Sequence, residues 1–188
     1  MKATKWKSYS LALIAGMSVL TACSSDDNND NGGNGNNGNG NEIENGTTLK
    51  GTITSDVTLT AGSTYKLSGE YIVEDGATLN IEAGVKIISI YDDIVDYILV
   101  KQGGKINAVG TSSAPIVMTS EKEEPGAWGG IHICGKAHTN AEGGKGSSEI
   151  GGATYGGNDD ADNSGTLKYV RVEYSGYAFD SEHEANGI

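Results

Sequence analysis

The densest charge in this 188-residue chain is Asn158-Asp159-Asp160-Ala161-Asp162-Asn163-Ser164-Gly165. Asp160, Asp162 and Ser164 ahead of Gly165 follow the first half of a D-x-D-x-S-G calcium loop, whose alternating oxygens can converge on one hard cation. The second half departs from that pattern, because Arg171 stands where a bidentate Glu would close the loop. A Ca2+ ion held by Asp159, Asp160, Asp162 and Ser164 would have to complete its shell from elsewhere, Glu173 being one source. The alternative is an acidic, solvated turn before a strand. A second candidate is aromatic. Trp128 and Tyr155, together with Tyr174 and Tyr177, offer flat apolar faces suited to sugar rings. If Ile131 and Ile133 point inward, strand alternation turns His132 outward, and Trp128 with it if the strand reaches that far back. Trp128, His132 and Tyr155 are therefore the candidate ligand contacts. The competing reading has Trp128 covering a coil edge beneath the segment that follows.

Catalytic constellations are not evident. Arg171 is the only arginine and sits two residues before Glu173, where an exposed ion pair explains it. His132, His138 and His183 lack triad partners and metal-ligand spacing. Cys134 reads as a small buried hydrophobe rather than a nucleophile. Acidic residues outnumber basic ones 25 to 13, a net charge of −12, which argues against a phosphate-neutralising nucleic-acid surface.

The other cysteine belongs to an address. Lys2, Lys5 and Lys7 precede the apolar run Leu11 to Leu20, which ends in Leu20-Thr21-Ala22-Cys23. About 20 residues are needed to cross a bilayer, so this run is too short to span one and sits instead as the apolar part of a signal peptide, residues 1–22. The Leu-Thr-Ala-Cys end resembles the lipobox of bacterial lipoproteins, which implies that the Cys23 thiol takes the diacylglycerol and that the chain is held to a membrane by lipid. Ser24-Ser25-Asp26-Asp27 resembles the surface-export signal of lipoproteins in the Bacteroidetes, or simply opens a polar linker. Removal of residues 1–22 takes three lysines and no acid, leaving ten basic against 25 acidic residues, a net of −15. Residues 24–42 contain eight Asn, five Gly and three Asp with no large apolar side chain, the composition of a tether that cannot bury enough surface to order itself. Residues 23–45 are thus the lipidated cysteine and its tether, and 46–188 the folded part.

The elements that must position the candidate residues are short strands cut by Gly turns. Val57-Thr58-Leu59-Thr60, Tyr65-Lys66-Leu67, Tyr71-Ile72-Val73, Thr78-Leu79-Asn80-Ile81 and Val85-Lys86-Ile87 follow one another with no 3.6-residue period. Tyr71-Ile72-Val73, Gly76 and Leu79-Asn80 recur as Tyr97-Ile98-Leu99, Gly103 and Ile106-Asn107, an offset of 26 or 27, and Thr58-Leu59 matches Thr78-Leu79 more loosely at 20. Repeats of that length made of strands and turns predict a stacked solenoid, a parallel β-helix of three strands per coil. Asn80 and Asn107 are expected one above the other at an inner corner, exchanging amide hydrogen bonds. An antiparallel sandwich is the alternative, weakened by the lack of a two-residue hairpin signal other than Asn45-Gly46. Residues 135–165, with nine Gly, are too long for a coil turn and read as an insertion, the kind of loop on which binding tends to sit.

The series Gly103-Gly104-Lys105-Ile106-Asn107-Ala108-Val109-Gly110-Thr111, Ala114-Pro115-Ile116-Val117-Met118-Thr119-Ser120, Trp128-Gly129-Gly130-Ile131 and Asn163 to Glu173 resembles a family of secreted bacterial lipoproteins common in Bacteroidetes. The resemblance covers roughly residues 70–188. It implies an all-β, right-handed parallel β-helix with a pectin-lyase-like fold, placed at the outer membrane and facing the cell surface. Members extend further than Asn186-Gly187-Ile188, so the resemblance implies a solenoid cut short at its C-terminal end, as the first part of a longer protein or an early-terminated product. The function expected is non-catalytic binding, adhesion or accessory service to an outer-membrane complex, with a glycan or host-surface protein as ligand. The alternative is a polysaccharide lyase or glycoside hydrolase whose catalytic coils lie beyond residue 188.

Overall fold

The computed structural model describes residues 41–181 and 183–188. Runs of β-branched and aliphatic residues here are too short to build a wide sheet on their own, and each is stopped by a Gly or polar turn. The chain answers by winding. β1 (Asn41–Ile43), β3 (Val57–Leu59), β5 (Thr78–Ile81), β8 (Lys105–Val109) and β13 (Gly165–Lys168) stack in parallel as a first face. β2 (Thr48–Ile53) and β4 (Thr64–Val73) each serve two faces. In β4 the turn falls at Gly69 (φ +67°): Thr64 to Leu67 pair with β6 (Lys86–Ser89), and Glu70 to Val73 pair with β7 (Tyr97–Val100). β9 (Ile116–Ser120) and β14 (Val170–Val172) continue the second face, and β10 (Ile131–Ile133) the third. All of these pairings are parallel, so the fold is a parallel β-helix and the sandwich alternative falls. At the last residues, Ile131 N–H donates to Gly187 O at 3.1 Å, so the third face of the uppermost coil opens at Gly187.

Alternation along each strand sends every second side chain inward, and parallel register stacks those side chains in columns. Val57, Leu79 and Ile106 form one column; Leu59, Ile81 and Ala108 another. Tyr65, Ile87 and Met118 line the second face, and Tyr71, Ile98 and Ile131 the third. Truncating one of the large aliphatic members to Ala would remove buried surface and leave a cavity, a cost of about 2–5 kcal/mol. The repeat is real, and Leu79-Asn80 lie over Ile106-Asn107 at the offset of 27, but two other matches slip. Tyr71 lies over Ile98 rather than Tyr97, and Thr58 over Asn80 rather than Thr78. Because side chains alternate, a one-residue slip exchanges inside for outside. Tyr71 is therefore in the core, whereas Tyr97 faces outward and donates its hydroxyl to Glu70 Oε2 at 2.9 Å.

Where the second face gives way to the third, residues 90–96 form a loop fastened by the buried Asp96. Its carboxylate accepts from Gly69 N–H at 2.5 Å, from the Ser89 hydroxyl at 2.7 Å and from Ile90 N–H at 3.1 Å. The segment between β10 and β13 is the expected insertion. It contains a 3-10 turn (Glu142–Gly144) and a small antiparallel pair, β11 (Gly146–Ser147) with β12 (Thr154–Tyr155). Ala153 and Tyr155 of this segment pack with Cys134 on Ile72 and Leu99, which point out of the third face. The insertion thereby covers apolar side chains that the solenoid alone would leave in water.

Two core tyrosines differ in how their hydroxyls are satisfied. Tyr65 donates to Ile43 O at 2.9 Å and accepts from Thr60 N–H at 3.0 Å, tying the first coil to the second. Tyr71 OH is buried with no hydrogen-bond partner among the described residues, and burial pushes its pKa up to about 12. An unpaired buried hydroxyl costs about 1–3 kcal/mol, whereas losing a paired one leaves its partners unsatisfied. Tyr71→Phe is expected to leave stability unchanged or raise it by about 1 kcal/mol, and Tyr65→Phe to lower it, by urea denaturation. Burial also raises the Asp96 pKa, outweighing the downward pull of its three donors, and the Asp92 carboxylate adds a smaller upward push. The folded chain then holds that proton more tightly than the unfolded one. The associated stability is full below the ordinary carboxylate pKa and lost as pH rises through the raised folded value. Urea midpoints measured from neutral to acidic pH should show this component in the native chain and lack it in Asp96→Asn.

Candidate functional site

Outward positions of the first face carry the residues least explained by packing. Thr58, Asn80, Asn107 and Thr166 occupy successive coils of one row, each opposite the next in register. Strands in a sheet lie about 4.8 Å apart, so the row presents a hydroxyl or amide at each such step. Asn107 Nδ2 donates to Asn80 Oδ1 at 3.3 Å. The amide exchange expected of this pair is present, but at mid-strand on the outer surface and not at an inner corner. The reason is alternation: Leu79 and Ile81 flank Asn80, Ile106 and Ala108 flank Asn107, and all four are buried. Thr58, Asn80 and Asn107 line an open depression of about 610 Å³, bounded by Glu82 and Val109. Glu82 Oε2 accepts from Ala61 N–H at 2.8 Å, which holds the rim of the depression to the turn below it.

The aromatic candidates are distributed otherwise. Trp128 is 1% exposed, belongs to the core and donates its indole N–H to Glu173 O at 2.8 Å. It is not a ligand contact. Simple alternation from Ile131 fails because Gly130 has φ +78° and does not continue the strand; a Cβ there would collide with Asn186 O and Gly187 O. His132 does point outward, over Leu99, but is half-buried with Nε2 2.9 Å from Gly129 O. Burial lowers its pKa, against a smaller opposing effect of that carbonyl and Glu149. Tyr155 is likewise half-buried, its ring lying over Gly146 and against the apolar patch on the third face. These three side chains do not form one platform. Cys134 is buried, as expected, and burial raises its thiol pKa.

The acidic candidates serve the backbone. Asp162 Oδ2 accepts from Lys136 N–H at 3.0 Å and from the Ser164 hydroxyl at 3.2 Å, and Asp160 Oδ1 accepts from His138 N–H at 3.1 Å. Asp159 Oδ1 accepts from Ala161 N–H at 3.2 Å. The bonds to Lys136 and His138 clasp the end of the insertion to its beginning, and the other two are local. Among the described residues no three acidic, His or Cys side chains gather around a possible cation, so Asp159, Asp160, Asp162 and Ser164 do not fit the calcium loop that their spacing suggests. Glu173 is not drawn to them either; it pairs with Arg171 on the second face. Cys23, the lipidation candidate, lies outside the described residues.

Residues 51–188 match a family model described as a pectate-lyase like beta helix domain. The chain belongs to this family. No curated protein and no solved structure matches it. Family membership agrees with the parallel coils and attaches no chemistry to particular side chains of this β-helix domain. Sequence reading missed one cluster, Glu74, Lys101 and Gln102 at the root of the insertion. Glu74 and Lys101 are 27 positions apart, the coil repeat, and that spacing was the signal available. Titration with millimolar CaCl2 is expected to give neither binding heat nor a shift in the thermal midpoint; a midpoint raised by calcium and returned by chelator would restore the cation site.

Proposed function

We propose that this β-helix domain is a cell-surface lipoprotein module that binds glycan without transforming it. The observation that carries the reading is the outward row Thr58, Asn80, Asn107 and Thr166 above an open depression. Amides and hydroxyls repeating at the strand spacing offer paired donors and acceptors to a chain of sugar hydroxyls, and a rigid β-sheet face presents them without an ordering cost on binding. Support for the anchoring reading comes from Leu20-Thr21-Ala22-Cys23 and from the Asn-, Gly- and Asp-rich stretch after it, the pattern of a lipidated cysteine followed by a tether. A protein ligand on the same face is compatible with this role.

A second reading is favoured by the family itself, whose description names pectate lyase. In that reading the described coils are the support of a lyase or hydrolase whose reacting groups lie in further coils.

Protease applied to intact cells is expected to remove the protein, and full protection would place it on the periplasmic side. A glycan array probed with the mature chain should show binding that falls by about tenfold in the Asn80→Ala, Asn107→Ala double variant, the loss expected for one or two net hydrogen bonds. No binding to any glycan would overturn the reading. Formation of unsaturated product from an acidic polysaccharide, abolished by chelation, would replace it with the lyase.

A further inference from the structure

Beneath the Gly151-Gly152 turn of the insertion lies a second cavity, of about 370 Å³, lined by Glu74, Lys101, Gln102 and Thr154. Its one apolar side chain is Ala153, which is buried and packs on Ile72 and Leu99 behind it. Its wall has no side chain at two positions, since residues 151 and 152 are both glycine with φ +64° and +59°. The polar part is a matched pair. Lys101 Nζ stands 2.6 Å from Glu74 Oε1, both side chains about one-third exposed. Gln102 Nε2 donates to Gly135 O and Gly156 O, each at 2.8 Å, holding both roots of the insertion and leaving its Oε1 as an acceptor.

We propose that this cavity is a binding site for one residue of a neutral sugar. A carboxylate beside an ammonium offers an acceptor and a donor side by side, so two adjacent ring hydroxyls can donate to Glu74 and accept from Lys101. The Ala153 methyl and the bare Gly151-Gly152 backbone give the C–H face of a pyranose a small apolar patch, and a cavity of a few hundred Å³ is the size class of small-ligand sites. The charge argues for a neutral ligand over a uronic acid. Lys101 is balanced by Glu74, and the next cation, Lys136, approaches Gly103 from the same side as the Asp75 carboxylate. The only arginine, Arg171, is on the second face and paired with Glu173. The mature chain, with 25 acidic and ten basic residues, repels anionic polymers at long range. The ligand class rests on the glycan reading above, but the site does not use the first face.

Ligand-observed saturation-transfer NMR with glucose, galactose, mannose and xylose, and with galacturonate as the acidic probe, tests the site in the full mature chain. At least one neutral sugar should give transfer, reduced about tenfold by Lys101→Met, the loss of one charge-assisted hydrogen bond, and by Thr154→Tyr, which narrows the cavity without touching the ion pair. Lys86→Met, at an exposed position of the second face, should leave it unchanged. Unaltered transfer in both Lys101→Met and Thr154→Tyr, transfer from galacturonate equal to that of the neutral sugars, or no transfer from any of them would overturn the proposal. Transfer lost only in Asn80→Ala, or array binding without any monosaccharide signal, would leave the first-face reading standing while removing this one.

Discussion

Everything in this molecule depends on the parallel register between one coil and the next. Backbone amides of each short strand find their partners in the coil below, and no single strand is long enough to be stable otherwise. The same register decides which side chains form the core, since inward positions such as Val57, Leu79 and Ile106 must coincide through successive coils. The outer surface inherits that order. A row like Asn80 over Asn107 is the outward half of the alternation that buries Leu79, Ile81, Ile106 and Ala108.

The insertion is the exception that gives the solenoid an individual face. A coil turn needs only a few residues, and thirty or so cannot be stacked, so the segment folds back over the third face. There it covers Ile72 and Leu99, and it is held at its roots by Gln102 and by the carboxylates of Asp160 and Asp162. Those carboxylates show how one composition can serve two purposes. Alternating Asp and Ser before a Gly can ligate a cation or can accept backbone N–H groups, and the loop after β10, through Lys136 and His138, supplies donors at the right places. Once engaged in this way, the oxygens are turned to separate partners.

Much of the fold was legible in the residues. Glycine turns between β-branched runs, a repeat near 27 residues and the over-long Gly-rich segment sufficed for a three-stranded coil with one insertion. The burial of Cys134, the outward turn of His132 and the Asn80–Asn107 contact were legible too. Two local rules failed. Matching Tyr71 to Tyr97 by identity put the register off by one, because aromatic likeness is no guide to which face a residue occupies. Counting back from Ile131 to Trp128 assumed an unbroken strand, and the positive φ of Gly130 broke it. A glycine in sequence announces that freedom without saying whether it is used.

By itself the sequence determined the solenoid, its approximate repeat and the place of the insertion, since these follow from local composition and spacing. Tertiary structure alone decided that Trp128 fills the core and that Asp159, Asp160 and Asp162 bind backbone. It also decided that Glu74, Lys101 and Gln102 meet the Gly151-Gly152 turn at one cavity. The physical reason is distance along the chain. Contacts between residues 27 to 78 positions apart depend on how coils stack and where an insertion folds back, and no local pattern of residues contains that information.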